Sequence, residues 1–289
     1  MNPIKAYNLV EVSYPYRFRG PSAVTADQVQ MWPVPTYKTD LRPGSGPPST
    51  GQSVQGLALG YFSMHARTAA SAVMGLGVRI PNQYWIAGQW TDATPTFADD
   101  TVDAQSTTAA DFPLEVLLTN NDGYVVASRV PFNVVSLDIG TADTGTVVRA
   151  ARYSNSAGTG WTNIVNPYVL TGAATNFVAT ATTAANEALV VFDVPVDWGK
   201  TAVGGLSGIP VGYYALNVRA TTAPTTAAVD DSLMIARAYF LTEGIGDNGT
   251  LSQDFGAKDV MMEPVGDALF ALFDTVNDGN RATALVRSY

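Results

Sequence analysis

The sequence predicts an all-β protein whose body is an antiparallel β-sandwich of jelly-roll-like type, flanked by extended segments at both termini. Runs of alternating apolar and polar residues recur between positions 54 and 241, with turn residues between them at intervals of roughly 8–12 residues. Glu and Lys, which usually fill exposed helix faces, number only 5 and 4 among 289 residues. These observations predict strands throughout, arranged as one sandwich or as two adjacent sandwiches that meet near residue 140.

Residues 1–53 are predicted to form an extended N-terminal arm. The segment 40–56 is rich in Pro, Gly, Ser and Gln, so it has little apolar surface to offset the entropy lost on ordering. A neighbouring subunit would have to supply that surface, which favours a component of an assembly. Aromatic side chains and Arg are enriched at protein interfaces. The arm residues expected at the subunit interface are Tyr7, Tyr14, Tyr16, Arg17, Phe18, Arg19, Trp32, Tyr37 and Arg42.

The body is predicted to span residues 54–243. Asn and Gly in the segments 120–123 and 156–160 supply the positive φ that hairpin turns require. The run 146–153 has apolar residues on both faces, which predicts a strand between two packed layers. The predicted strands are 54–63, 84–91, 112–119, 123–130, 132–139, 146–153, 161–165, 176–183, 187–194, 212–221 and 232–241.

Residues 244–289 are predicted to form a C-terminal extension, because Gly and Asp are frequent just after Glu243. Two segments have a short helical pattern, 67–74 and 267–276, although the first of them leads into a run that fits a strand as well. The last stretch, 281–289, is expected to add an edge strand to its own sheet or to that of a neighbour.

The charge pattern argues against nucleic acid as a partner, and the hydropathy pattern argues against a membrane span. The net charge is −9, and seven acidic but no basic residues lie between Arg79 and Arg129. No apolar run approaches the roughly 20 residues needed to span a bilayer, and the start lacks a secretory pattern. The sequence predicts a protein that is made in the cytoplasm and remains soluble there until it meets its partner.

No catalytic residue, cofactor or metal site is predicted. The chain has no Cys and a single histidine, His65, which no recognisable nucleophile or triad partner accompanies in sequence. Asp-rich segments at 99–103, 230–231 and 274–279 offer the oxygen ligands that calcium prefers. Asp, Asn and Gly are equally typical of tight turns, and we favour that interpretation. We therefore expect a protein that is not an enzyme.

Three aromatic residues form a candidate glycan site. Tyr84, Trp85 and Trp90 precede an acidic run that extends from Asp92 to Asp111. Rings beside acids can stack on sugars and form hydrogen bonds with them, and paired acids can hydrolyse a glycosidic bond. The three residues also alternate as in a strand, so a position in the core or at an interface is the favoured interpretation.

The middle two-thirds of the chain resembles the β-sandwich modules of tailed-bacteriophage virion proteins. The resemblance is carried by VVRAARYSNSAGTGW, ALVVFDVP, GYYALNVRATT and SLMIARAYFL within 146–241, and by DDTVDAQSTTAADFPLEVLLTNNDGYVVASRVPF upstream. It implies a capsid decoration (cement) or minor capsid protein, a homo-oligomer that bridges capsid or tail subunits of a virion assembled in the host cytoplasm. A tail or fibre protein that binds host glycans, and a jelly-roll major capsid protein, remain alternatives.

Overall fold

The fold is that of a computed structural model, which describes residues 9–12, 28–33, 57–66, 71–106, 111–115, 117–145, 147–165, 167, 169–170, 186–245, 251–254, 260–261, 268–273 and 281–288. The chain divides into two compact units. Unit 1 comprises Met1–Pro81 and Tyr239–Tyr289, and unit 2 is the continuous segment Asn82–Ala238. The predicted body, 54–243, therefore extends beyond unit 2 at both ends.

Nearly all regular structure in the described residues is β-strand, which confirms the predicted fold class. The helical elements are α1 at Thr101–Ala104 and a 3-10 helix at Asn82–Tyr84. The strands are β1 Leu9–Val12, β2 Gln28–Pro33, β3 Leu57–Ala66, β4 Ser71–Arg79, β5 Trp85–Thr91, β6 Thr96–Asp99, β7 Phe112–Pro113, β8 Gly123–Ser128, β9 Val134–Thr141, β10 Val148–Ser154, β11 Trp161–Asn163, β12 Val169–Leu170, β13 Asn186–Val191, β14 Tyr214–Thr222, β15 Val229–Ile245, β16 Leu251–Asp254, β17 Val260–Met261, β18 Ala268–Phe273 and β19 Arg281–Ser288.

Unit 2 is a sandwich of two antiparallel sheets. The first sheet has six strands in the order β11-β10-β14-β8-β5-β6. The second follows the order β12-β13-β9-β15, and β7 pairs with the first residues of β15. The predicted β-sandwich body is thereby confirmed.

The six-stranded sheet is buried on both faces, as its central strand β8 shows. Tyr124 points toward the second sheet, where its ring meets Phe112 of β7 edge-on at 6.3 Å between ring centroids. Val125 and Ala127 alternate to the opposite face, as strand geometry requires. There they join a hydrophobic cluster with Trp90, Phe97, Leu206, Ile209 and Ala215. The near-continuous apolar sequence of β8 follows from this double burial.

The long segment between β13 and β14 is fixed to the body by Trp198. The indole Nε1–H of Trp198 donates to Ser154 Oγ at 3.0 Å and to the carbonyl oxygen of Ala215 at 3.2 Å. Its ring lies 5.1–6.2 Å, between centroids, from four other aromatic rings: Phe132, Tyr153, Phe192 and Tyr214.

Both segments predicted as hairpin turns contain a residue with positive φ, but only 156–160 is a hairpin, because it joins the paired strands β10 and β11, whereas β8, which follows 120–123, pairs with β5 and β14. Asn121 has a φ of 74° and Gly158 has a φ of 69°. The Ala202 N–H donates to the Gly158 carbonyl oxygen at 3.0 Å, so the second turn packs against the segment that follows Trp198. A Cβ at position 158 would overlap the carbonyl oxygen of Lys200, so this turn requires glycine for both its conformation and its packing.

The structure corrects the prediction of an extended arm. In unit 1, β1 pairs with β19 and β2 pairs with β18, so parts of the first 53 residues form strands with the C-terminal part of the same chain. The same pairs correct the prediction that 244–289 is a separate extension. The runs LVEV and QVQMWP do alternate, but they are short and lie among polar, Pro-rich residues, so their pattern is weak in the sequence.

The two segments with a helical pattern are strands where they are described. The segment 267–276 contains β18, which lies between β2 and β4, and the segment 67–74 overlaps β4. A short apolar run such as ALFALF cannot be assigned to helix or strand from periodicity alone. The expected C-terminal strand is confirmed within the chain itself, but it is not an edge strand as predicted, because β19 lies between β1 and β3 and pairs with both.

Candidate functional site

The predicted glycan residues do not form an exposed aromatic surface. Trp85 and Trp90 are each only 2% exposed, and Tyr84 is half-buried. The two tryptophans are an odd number of positions apart in β5, so they point to opposite faces of the six-stranded sheet. The Trp90 ring is covered edge-on by Trp161, with 5.2 Å between ring centroids. The prediction of a sugar-stacking pair is therefore wrong, and the favoured interpretation as core residues is confirmed for both.

The predicted subunit-interface residues lie almost entirely beyond the part of the chain that the structure describes. Trp32 belongs to β2, where its backbone is opposite Leu269 of β18. The residues outside the described ranges are Tyr7, Tyr14, Tyr16, Arg17, Phe18, Arg19, Tyr37 and Arg42.

Arg152 connects three strands on the face of the first sheet that carries Trp90. Its Nη2 lies 2.6 Å from Asp92 Oδ1, and its Nε–H donates to Asn217 Oδ1 at 2.7 Å. The guanidinium carbon stands 5.3 Å from the centroid of the Trp161 ring, within the range of a cation–π contact. Burial alone would raise the pKa of Asp92, but the hydrogen bond and charge of Arg152 lower it below its ordinary value. The arrangement is a satisfied structural ion pair.

A second arginine is buried between the two sheets with acidic partners. Arg149 Nε–H donates to Glu115 Oε1 at 2.8 Å, and Nη2 lies 2.7 Å from the same oxygen. On its other side, Nη1 lies 2.7 Å from Asp143 Oδ2. Burial raises the pKa of both carboxyls, although the Arg149 charge acts in the opposite direction.

Asp230 adds a third carboxyl to this interior region. It is 0% exposed and lies where the pairing of β15 with β9 is irregular. The backbone N–H groups of Ser232 and Asp138 favour its ionised form, but neither makes a close hydrogen bond with it. Burial dominates and raises the pKa of Asp230 to about 8. Burial also raises the pKa of Tyr124 well above its usual value, and the Tyr124 hydroxyl has no close hydrogen-bond partner among the described residues.

The remaining Asp-rich segments have local roles where they are described. Asp99 Oδ1 accepts a hydrogen bond from the backbone N–H of Thr101 at 3.0 Å, and Asp100 Oδ2 accepts one from Gln89 Nε2 at 2.9 Å. Asp230 and its neighbour Asp231 lie in β15, not in a turn as predicted. Among the described residues, no group of three or more His, Cys, Asp or Glu side chains could hold a metal ion.

Sequence reasoning missed the group around Arg149. Glu115, Asp143 and Asp230 are far from one another in sequence, so no local sequence motif indicates that they form a group. One signal was available, because Arg149 shares a strand face with Val147 and Ala151 in a run expected to lie between two layers. A charged residue on such a face requires buried partners of opposite charge.

Two exposed valines lie in one loop of unit 2. Val203 is 87% exposed and Val211 is 58% exposed. The Thr201 N–H donates to the Tyr213 carbonyl oxygen at 2.8 Å, and the Gly212 N–H donates to the Thr201 carbonyl oxygen at 2.9 Å. The two ends of the loop therefore run next to each other, and each valine lies close to one of them in sequence. We call Val203 and Val211 the loop valines.

The base of this loop is well fixed. The hydroxyl of Thr201 donates to the Pro210 carbonyl oxygen at 2.5 Å, and Leu206 and Ile209 are buried in the hydrophobic cluster beneath it. Valine has few side-chain rotamers, so the loop valines present apolar surface with little conformational entropy left to lose.

No protein-family model matches the sequence, and no curated protein or solved structure shows significant similarity to it. No described helix is long and apolar enough to cross a membrane.

Proposed function

We propose that this chain is a non-enzymatic structural protein of a virion. It binds and bridges neighbouring capsid or head–tail subunits, in a decoration (cement) or minor capsid role, and acts as a homo-oligomer in particles assembled in the host cytoplasm. The observation that carries the proposal is the exposure of the loop valines, Val203 and Val211, on a firmly fixed loop of a β-sandwich.

The distribution of charge supports this proposal. Only 14% of the residues are charged, and two of the arginines, Arg149 and Arg152, are mostly buried in ion pairs inside unit 2. A surface with little charge opposes association weakly. Pre-organised apolar groups on such a surface favour stable packing among subunits, because little entropy is lost when they are covered.

The role in a particle is tested by immunogold electron microscopy. Antibodies raised against this chain would be applied to virus particles purified from the source of the sequence. We expect regular labelling of the head or of the head–tail junction. Particles with complete heads and no label would refute the proposal, and a label confined to fibre tips would indicate the glycan-binding alternative.

The role of the loop valines is tested by adding charge to them. In the double variant Val203→Asp/Val211→Asp, self-association measured by sedimentation equilibrium is expected to weaken at least about tenfold, since burial of each valine contributes about 1.5 kcal/mol. Val102→Asp is the matched control, because Val102 is 82% exposed but lies in α1, outside this loop. Equal weakening in the double variant and the control would contradict the assignment.

A further inference from the structure

The interior of unit 2 holds more acidic than basic groups. Glu115, Asp143 and Asp230 are at most 5% exposed, and Arg149 is buried beside the first two. The charged side chains that act on Asp230 are the carboxylates of Asp138 and Asp231, and Asp230, Glu115 and Arg149 all act on the buried Tyr124. Ionised Asp230 would therefore leave excess negative charge in a nearly dry interior, which is costly. At least one of these carboxyls must therefore keep its proton for the packing to persist. We call these four residues, with Tyr124, the buried acidic cluster.

The side chains of two members of the cluster have neither a close hydrogen bond nor an ion pair within the described part of the chain. Both carboxyl oxygens of Asp230 and the hydroxyl oxygen of Tyr124 are buried without one. The guanidinium of Arg149 is bound to Glu115 and Asp143. Each element packed here contributes a charged or titratable group, either as a member of the cluster or as its neighbour. The members are Glu115 after β7, Tyr124 in β8, Asp143 after β9, Arg149 in β10 and Asp230 in β15, and the neighbours are Asp138 in β9 and Asp231 in β15.

The cluster lies at the base of three loops. Leu114, next to Glu115, donates its N–H to the Ala228 carbonyl oxygen at 2.9 Å. Thr144, next to Asp143, donates its N–H to the Thr226 carbonyl oxygen at 3.1 Å and accepts from the Thr225 N–H at 2.7 Å. The loops that precede β8, β10 and β15 are thus tied to one another directly beside the buried carboxyls. We call them the acidic-end loops.

We propose that the buried acidic cluster is a pH-sensitive device that keeps the acidic-end loops closed under acidic conditions and loosens them as the pH rises. Ionisation of Asp230, which has no ion pair with Arg149, would draw water into the interior. The acidic-end loops are the nearest elements that can open to admit it. The device acts within unit 2 and does not depend on the proposed virion role.

The sign of the effect follows from the protonation of the native state. Burial raises the pKa of Asp230 from 3.8 to about 8, and burial also raises those of Glu115 and Asp143. Groups with a raised native pKa bind more protons in the closed state than in the open one. The stabilising effect of protonated Asp230 is complete below about pH 4 and is lost progressively until the pH reaches about 8. The effects of Glu115 and Asp143 are also lost as the pH rises.

The test is hydrogen exchange of the full chain, followed amide by amide by NMR between pH 5 and pH 8 and corrected for the intrinsic exchange rate. If opening of the loops releases one proton, the opening constants of the N–H groups of Leu114, Thr144 and Thr225 should rise by up to about tenfold per pH unit. The comparison amides are Phe97 and Ala202, which are hydrogen-bonded outside the acidic-end loops. Their opening constants should change less than threefold. Equal changes in both groups of amides would overturn the proposal.

A variant separates the cluster from other titrating groups. Asp230→Asn should flatten the pH dependence of the acidic-end amides to less than threefold over the whole range, whereas the exposed control Asp193→Asn should keep the wild-type profile. An unchanged profile in Asp230→Asn would overturn the proposal. Should Asp230→Asn fail to fold, carboxyl carbon-13 NMR of the wild-type chain labelled at Asp decides. A carboxyl that remains protonated at pH 6 supports the device, and complete ionisation of all Asp carboxyls at pH 6 refutes it.

Discussion

Replacing Arg149 by Met would remove the guanidinium that binds Glu115 and Asp143 between the two sheets of unit 2. Methionine fills much of the same volume without charge, so the change isolates the electrostatic contribution. Arg149 approaches Glu115 Oε1 with two nitrogens, at 2.8 and 2.7 Å, and Asp143 Oδ2 with a third at 2.7 Å. All three side chains are almost completely buried. The variant leaves two interior carboxyls without their cation.

The expected loss of unfolding free energy is about 3–5 kcal/mol at neutral pH, the usual cost of leaving a buried charge without its partner. It should depend on pH. Burial raises the pKa of Glu115 and Asp143, and Arg149 is the group that lowers them, so the variant raises both further above the ordinary 4.5 and 3.8. A raised native pKa means that stability is complete below about pH 4 and is lost as the pH rises. The deficit should therefore be small at pH 4 and large at pH 7.5.

The assay is urea unfolding followed by tryptophan fluorescence at pH 4 and pH 7.5. The matched control is the triple variant Arg149→Met/Glu115→Gln/Asp143→Asn, in which no charge remains among these three positions. The triple variant should recover most of the stability at pH 7.5, because neutral amides cost less to bury than unpaired carboxylates. A deficit below about 1 kcal/mol for Arg149→Met at pH 7.5, or the same deficit at both pH values, would refute the reasoning.

Three further changes address the packing of the same unit. Trp198→Ala should lower the unfolding free energy by about 3–5 kcal/mol in urea titrations, since it empties a site bounded by four aromatic rings; a loss under 1 kcal/mol would show that the ring is dispensable. Gly158→Ala should lower the melting temperature more than Gly204→Ala does, because both glycines have positive φ but only position 158 lacks room for a Cβ; equal shifts would contradict the packing argument. Asp92→Asn should remove about 1 kcal/mol at pH 7, a value reduced for partial exposure of the pair with Arg152. The lowered pKa of Asp92 means that this contribution exists above the ordinary 3.8 and disappears in acid, so wild type and variant should converge near pH 2.

Local signals in the sequence were sufficient for most of the long strands of unit 2 and for one hairpin turn. The run 146–153 predicts β10 between two layers because its apolar residues occupy both faces, and the turn around Gly158 follows from glycine chemistry. Each of these features depends on residues close together in the chain. The sandwich class could be predicted for the same reason, since repeated strands and turns have few other ways to bury their apolar faces.

Features that depend on distant residues could not be predicted in this way. The pairing of β2 with β18 joins segments near opposite ends of the chain, and nothing local distinguishes it from an arm that binds another subunit. The partners of Arg149 come from two loops whose proximity exists only in the folded sheets. The opposite orientations of Trp85 and Trp90, by contrast, follow from counting positions along one strand, and could have excluded the shared aromatic surface.

The insertion of unit 2 into the sequence of unit 1 has a consequence for the order of synthesis. All residues of Asn82–Ala238 are translated before those of β18 and β19, so the core residues of this unit are synthesised first. β1 and β2 must wait for partners that are translated later than unit 2. Once unit 2 has folded, its first and last residues are held at fixed positions. The loop that must be closed to pair β1 with β19 and β2 with β18 is then effectively shorter than the full stretch of chain between them.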